Sequence, residues 1–253
     1  MLFALSFLVT ACVYASVGFG GGSTYNALLV LAGVDYQILP IIALLCNLIV
    51  VTGGTFRFAR AGHVETKKII PWIVTSIPAA WLGGFIRVPE TAFIGILGVS
   101  LFLCGLRLII PQQKLSQKTT KSGNHQHIFF APLVGTLLGG LSGIVGIGGG
   151  IFLAPILHLL RWDHAKSIAA VCSLFILVNS IAGLIGHSMK IGSSFMTSVV
   201  LEYWMLFPAV LIGGQIGSYL GAVHLQPKTI RLLTGFLTLY VSGRLLWRWV
   251  GMF

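Results

Sequence analysis

Long apolar runs separated by short clusters of charge make up the whole chain. From Met1 to Phe56 the only charged residue is Asp35, and charge is absent from 69–86, 91–106, 128–160, 167–189 and 203–223. A bilayer core of about 30 Å takes roughly 20 apolar residues per helix, so these runs predict an all-α polytopic membrane protein with roughly 8–10 membrane segments. The segments fall at 2–17, 23–33, 38–57, 69–87 and 91–110, then at 128–145, 151–160, 165–187, 201–222 and 229–250. Segments 23–33 and 151–160 are too short to cross a bilayer at about 1.5 Å per residue, and each reads as a half-helix.

The two sets of five segments resemble each other. Gly18-Phe19-Gly20-Gly21-Gly22 matches Gly146-Ile147-Gly148-Gly149-Gly150 at an offset of 128, which also places Asp35 on Asp163. Cys46 pairs with Cys172, Pro78-Ala79 with Pro208-Ala209, and Gly83-Gly84 with Gly213-Gly214 at nearly the same offset. The chain thus divides into a first repeat at 1–110, a polar connector at 111–127 and a second repeat at 128–253. If each glycine motif is the tip of a re-entrant hairpin, each half crosses an odd number of times and the repeats are inverted, a common plan for secondary transporters. If each broken segment crosses once, the repeats are parallel.

Charge enters the picture through its placement. Basic residues outnumber acidic ones by 16 to 5, giving a net charge of +11. They sit in the gaps between apolar runs, as positive-inside loops do, and not on a face that could bind nucleic acid. With both termini outside, the cytoplasmic set is Arg57, Arg60, Lys67, Lys68, Arg107, Lys114, Lys118, Lys121, Arg161, Lys166, Lys228 and Arg231. Arg87, Lys190, Arg244 and Arg248 then lie outside. That is twelve against four; the parallel arrangement, with Met1 inside, makes it eleven against five, so charge favours inversion slightly.

Composition excludes a soluble domain. Only 8% of residues are charged and 56% are hydrophobic, where a soluble domain carries about 25% charged residues. The mean hydropathy is +0.96. Cys12, Cys46, Cys104 and Cys172 all lie in apolar runs without CxxC spacing, which points to neither disulfides nor a zinc site, and no cofactor is called for. Met1–Ala11 lacks a basic leader and reads as a retained first segment.

The glycine motifs carry the candidate chemistry. Backbone that leaves helical geometry at membrane depth has unpaired polar groups, and so lines a cavity or is buried in protein. A glycine run before a helix lets a ligand approach the backbone, and the first N–H groups of that helix, backed by its dipole, favour an anion. The candidate substrate-binding residues are Gly20, Gly21, Gly22, Ser23, Asn47, Gly148, Gly149, Gly150, Ser173, Asn179 and His187. Thr24, Asn26, Thr52, Ser142 and Ser180 are further polar residues within these apolar runs. The pairs Gly53-Gly54, Gly83-Gly84, Gly139-Gly140 and Gly213-Gly214 read instead as helix-packing sites. Asp35 and Asp163 each precede a long helix as N-caps. No carboxylate lies at the centre of a segment, which argues against a carboxylate relay or a dedicated cation path.

The paired GFGGG and GIGGG motifs, the run Ser142 to Gly150 followed by Pro155, and Cys172-Ser173-Leu174-Phe175 with His187 beyond it resemble the sulfite exporter TauE/SafE family of bacterial membrane permeases. The likeness covers nearly the whole chain, the second half most closely. It implies a multi-pass protein of the bacterial inner membrane that moves small sulfur-containing anions such as sulfite or organosulfonates. The partners expected are that anion, membrane lipid and a second copy of the chain in a homo-oligomer. The first half departs from the second by Asn47 opposite Ser173, and by Arg57–Arg60 opposite Gly183–His187. A membrane-embedded enzyme using Cys46 or Cys172, or an anion channel, is the alternative, but no nucleophile has a base and an orienting group in the pattern.

Overall fold

The computed structural model describes residues 2–16, 18–60, 66–109, 126–160, 162, 165–223 and 227–252. Arg161, Asp163 and the expected connector up to His125 lie outside them, as do the side chains of Lys67, Lys68, His158, Lys166, Lys228 and Arg231.

The described residues form eleven helices and no strand: α1 (Leu2–Ser16), α2 (Gly22–Leu31), α3 (Leu39–Arg60), α4 (Thr66–Phe85), α5 (Glu90–Ile109), α6 (Gln126–Val145), α7 (Gly150–Leu159), α8 (Ala165–Ile191), α9 (Ser193–Glu202), α10 (Leu206–Val223) and α11 (Pro227–Val250). Among the described residues, Leu39–Phe58, Glu90–Arg107 and Ser167–Ile191 are long and apolar enough to cross a membrane. The pair α9–α10, bent by 66°, makes a fourth candidate span. Large apolar side chains such as Phe56, Val74, Leu137, Leu201 and Trp247 stand exposed on the outside of the bundle. Such a surface suits a lipid solvent.

One element was not legible in the hydropathy pattern. Residues 188–200 fall between the expected segments 165–187 and 201–222, yet α8 continues to Ile191, Gly192 turns the chain at φ 83°, and α9 follows. Met196 and Val199 explain it, because both pack into the main core. Asp35 makes N-cap bonds at the turn that leads into α3: its carboxylate accepts the Gln37 N–H at 2.8 Å and its carbonyl accepts the N–H groups of Ile38 and Leu39.

Small residues set the helix pairs, since backbones can approach closely only where no side chain intervenes. Gly135, Gly139 and Gly143 recur every fourth residue along α6, facing α4. A Cβ at Gly135 would lie 2.5 Å from the Trp72 carbonyl oxygen, one at Gly139 would lie 2.7 Å from the Ser76 Cα, and one at Gly143 would lie 2.8 Å from the Gly84 nitrogen. On α10, a Cβ at Gly213 would lie 3.0 Å from that of Ala11, and one at Gly217 would meet the backbone of Cys12. The expected packing pairs are not alike: Gly83 and Gly84 are both crowded, by the backbones of Gly140 and Gly183, while Gly139 is crowded and Gly140 has open space beside it.

α1 thus packs along α10, α6 along α4, and α5 along α11, while α3 and α8 meet at the centre. α3 and α8, which carry Cys46 and Cys172, run in opposite directions. A Cβ at Gly183 would touch Leu44 at 3.1 Å, and one at Gly54 would lie 3.8 Å from the Ser173 hydroxyl. α5 and α11 are likewise antiparallel, with Gly95 against Trp249 and Gly105 against Leu239. Arg57, where the halves differ in sequence, ties α3 to α10 through hydrogen bonds to Gln215 Oε1 and to the Ser218 hydroxyl.

A bulky side chain on the α6 seam must push α4 away. Gly143→Leu is expected to destabilise the protein by about 1–3 kcal/mol, the usual cost of overpacking. Gly140→Ala should be neutral or better. Thermal unfolding of the two variants in detergent checks both.

Candidate functional site

The first break follows from glycine placed where the backbone must turn left-handed. Gly18 has φ 82°, the Phe19 N–H bonds the Tyr14 carbonyl at 2.9 Å, and the Gly18 N–H bonds the Ala15 carbonyl at 3.2 Å. That pair of bonds is a Schellman ending, which satisfies carbonyls that α1 would otherwise orphan. Gly21, at φ 92°, is the N-cap of α2, and its carbonyl accepts from Thr24 and Tyr25 at 3.0 Å. The second break uses three left-handed glycines, Gly146, Gly148 and Gly149, between α6 and α7. A side chain at any of them would be strained. The first N–H groups of α2 and α7, which have no partner inside their helices, therefore open onto the breaks.

The breaks meet at Asn47 of α3. The side chain is completely buried, and its Nδ2 donates to the Gly146 carbonyl at 3.3 Å. A Cβ added to Gly22 would sit 2.6 Å from that nitrogen, one on Gly148 would sit 3.0 Å away, and one on Gly20 would strike Oδ1. Glycine at 20, 22 and 148 is thus what lets both breaks close around one amide. Asn47 Oδ1 has no hydrogen-bond partner.

Side chains of each half hold carbonyls freed by the other half's break. Asn26 Nδ2 of α2 donates to the Val145 carbonyl at 2.7 Å. Ser173 of α8, matched to Asn47 by the repeat, donates through Oγ to the Gly18 carbonyl at 2.7 Å. Ser23 and Thr24 both lie within hydrogen-bond distance of the Tyr14 hydroxyl, at 3.2 and 2.9 Å, which anchors the start of α2 to α1.

The expected site residues separate into three groups. Gly20, Gly22, Asn47 and Gly148 converge, with Ser23 at the α2 start beside them. Gly21, Gly149 and Gly150 belong to the same breaks, but their Cα atoms face the Tyr25 ring, the Phe175 ring and Ile176 respectively. Ser173 serves the first break from behind, Asn179 donates within its own helix to the Phe175 carbonyl at 2.9 Å, and His187 bonds the Gly143 carbonyl at 2.9 Å, one turn before the second break. Asn26, Tyr14, Gly18 and Gly146 also shape the site and were not among the expected residues. Asn26 carried a signal, being an amide four residues beyond a glycine run. Tyr14, an aromatic in an apolar run, carried none.

The arrangement offers backbone N–H donors, the unpartnered amide oxygens of Asn47 and Asn26 and, among the described residues, no charged side chain at its centre. Cys46 and Cys172 are fully buried free thiols. Among the described residues no group of His, Cys, Asp or Glu is arranged to hold a metal ion.

Comparison with protein-family models matches residues 2–245 to the sulfite exporter TauE/SafE family. The "Probable membrane transporter protein y4hK" of Sinorhizobium fredii is 31% identical over 244 residues, covering 96% of this chain and 97% of that protein. The "Probable membrane transporter protein MJ0441" of Methanocaldococcus jannaschii is 28% identical over 134 residues, covering 52% of this chain and 49% of that protein. No solved structure matches the chain. With its paired glycine breaks inside a bundle of apolar helices, the chain belongs to the sulfite exporter TauE/SafE family and is a multi-pass membrane transporter.

Proposed function

We propose that this transporter carries a small anion, sulfite or an organosulfonate, across the bacterial inner membrane, and that the anion binds where the two glycine breaks meet. The observation that carries the reading is the convergence of Gly20, Gly22 and Gly148 on the buried Asn47 amide. Two short helices begin at this point, and their N-termini favour negative charge. The unpartnered Asn47 Oδ1 needs a donor, which an oxyanion carrying one proton, such as hydrogen sulfite, would bring.

Burial gives the reading its mechanism. Ser23, Asn26 and Asn47 are at most 1% exposed, so an anion reaches the site only when helices around the breaks part. The antiparallel courses of α3 against α8 and of α5 against α11 suit inverted repeats that rock about a central site, opening it to one side at a time. The same antiparallel courses favour the inverted over the parallel arrangement of the halves.

In proteoliposomes, labelled sulfite or sulfoacetate should be taken up saturably and show counterflow, with a labelled cation as control. Asn47→Ala is expected to lower anion transport at least about tenfold, the effect of losing roughly 1.4 kcal/mol of binding. Cys46→Ala with Cys172→Ala should leave transport intact. Transport of the cation alone, or loss of transport on removing the thiols, would overturn the reading. For the arrangement of the halves, Lys114→Cys and Lys190→Cys should label from opposite sides of the membrane. Labelling from one side would mean parallel halves.

A further inference from the structure

A pocket of about 600 Å³ opens at the end of the bundle where α4 and α8 finish and the α2–α3 turn returns. Its lining includes two cations, Arg87 and Lys190. Like charges held together without a counter-ion are unfavourable, and they mark a place where an anion is welcome. Among the described residues no carboxylate is paired with either: Glu90, three residues beyond Arg87, is bound at 2.9 Å to Arg248.

The pocket also leads somewhere. Pro40 and Ile144 are among its lining, and a Cβ on Gly146 would sit 2.6 Å from the Pro40 Cα, so the pocket adjoins the second glycine break. His187 lines the same pocket and bonds the Gly143 carbonyl just before that break. Beside the cations the lining joins the polar Tyr36, Gln37 and His187 to apolar side chains such as Phe93 and Phe195. The volume exceeds that of a bare oxyanion and accommodates an organic one.

We infer that this pocket is the access vestibule of the transporter, where Arg87 and Lys190 bind the acidic head of a small organic anion, a sulfonate above all, before it passes to the glycine breaks. The inference rests on the anion-transport reading above for its purpose. Its geometry and charge stand independently of that reading. Charge focusing of this kind raises the local concentration and association rate of an anion by about 10–10³-fold, and it weakens as salt is added.

The test uses reagents that carry the chemistry in question. Gln37 is an exposed residue of the lining and, in a chain with Cys12→Ser, Gln37→Cys is the thiol to follow, because the other three cysteines are buried. The negatively charged 2-sulfonatoethyl methanethiosulfonate should modify it at least about tenfold faster, relative to the trimethylammonium reagent, than it does in the same chain carrying Arg87→Gln and Lys190→Gln. Arg87→Lys should keep the preference, and raised ionic strength should shrink it. Should the double variant fail to fold, Arg87→Gln alone, in an exposed loop, must still lower the ratio. A ratio that the charge-removing variants leave unchanged would overturn the vestibule. In proteoliposomes those variants should raise the KM for sulfoacetate from this side and leave the maximal rate nearly unchanged. An unaltered chain that moves no anion would defeat the transport reading, while the reagent ratio would still decide whether the vestibule binds sulfonates.

Discussion

An interrupted helix inside a membrane must find partners for every backbone group the interruption frees, because an unpaired group in hydrocarbon costs several kcal/mol. The organisation of this protein follows from that constraint. α1 and α6 both end within the bundle, and the carbonyls of Gly18, Val145 and Gly146 are held by Ser173, Asn26 and Asn47. Each donor comes from the half of the chain that does not contain the break it serves. Neither half can therefore bury its own break alone, and the two are bound to each other at the place where their helices stop.

Close packing holds that arrangement in place. α4 approaches α6, and α1 approaches α10, along seams where glycine takes the contact positions. In lipid there is no hydrophobic force to drive helices together, so dispersion contacts at short range and buried hydrogen bonds must do so. The glycines of the seams and the glycines of the breaks have different physical roles. The first need the absence of a Cβ on a helical backbone, and the second need a positive φ.

The motif pattern made both breaks legible in advance. Five residues repeated at a constant offset, each followed by about ten apolar residues, identify two interrupted segments without any tertiary information. The same pattern did not reveal α9, whose sequence is too polar at its start to stand out and whose helix depends on Met196 and Val199 reaching the core. Nor did it separate Asn47 from Asn179. Both are buried amides in long central helices, but one points across to another half's backbone and the other back along its own helix.

Arg87 and Lys190 show the same division. In the sequence they are two basic residues about a hundred positions apart, useful only for counting charge on one side of a membrane. The fold brings the ends of α4 and α8 together and makes them one basic pocket above the second break. Hydropathy, glycine spacing and internal repetition determined a helical membrane protein with two breaks, because those properties depend on the solvent and on local backbone freedom. Which side chains meet at the breaks, and which cations share a pocket, was decided by helix direction and crossing. Those are set by contacts between residues far apart in the chain, which no local pattern encodes.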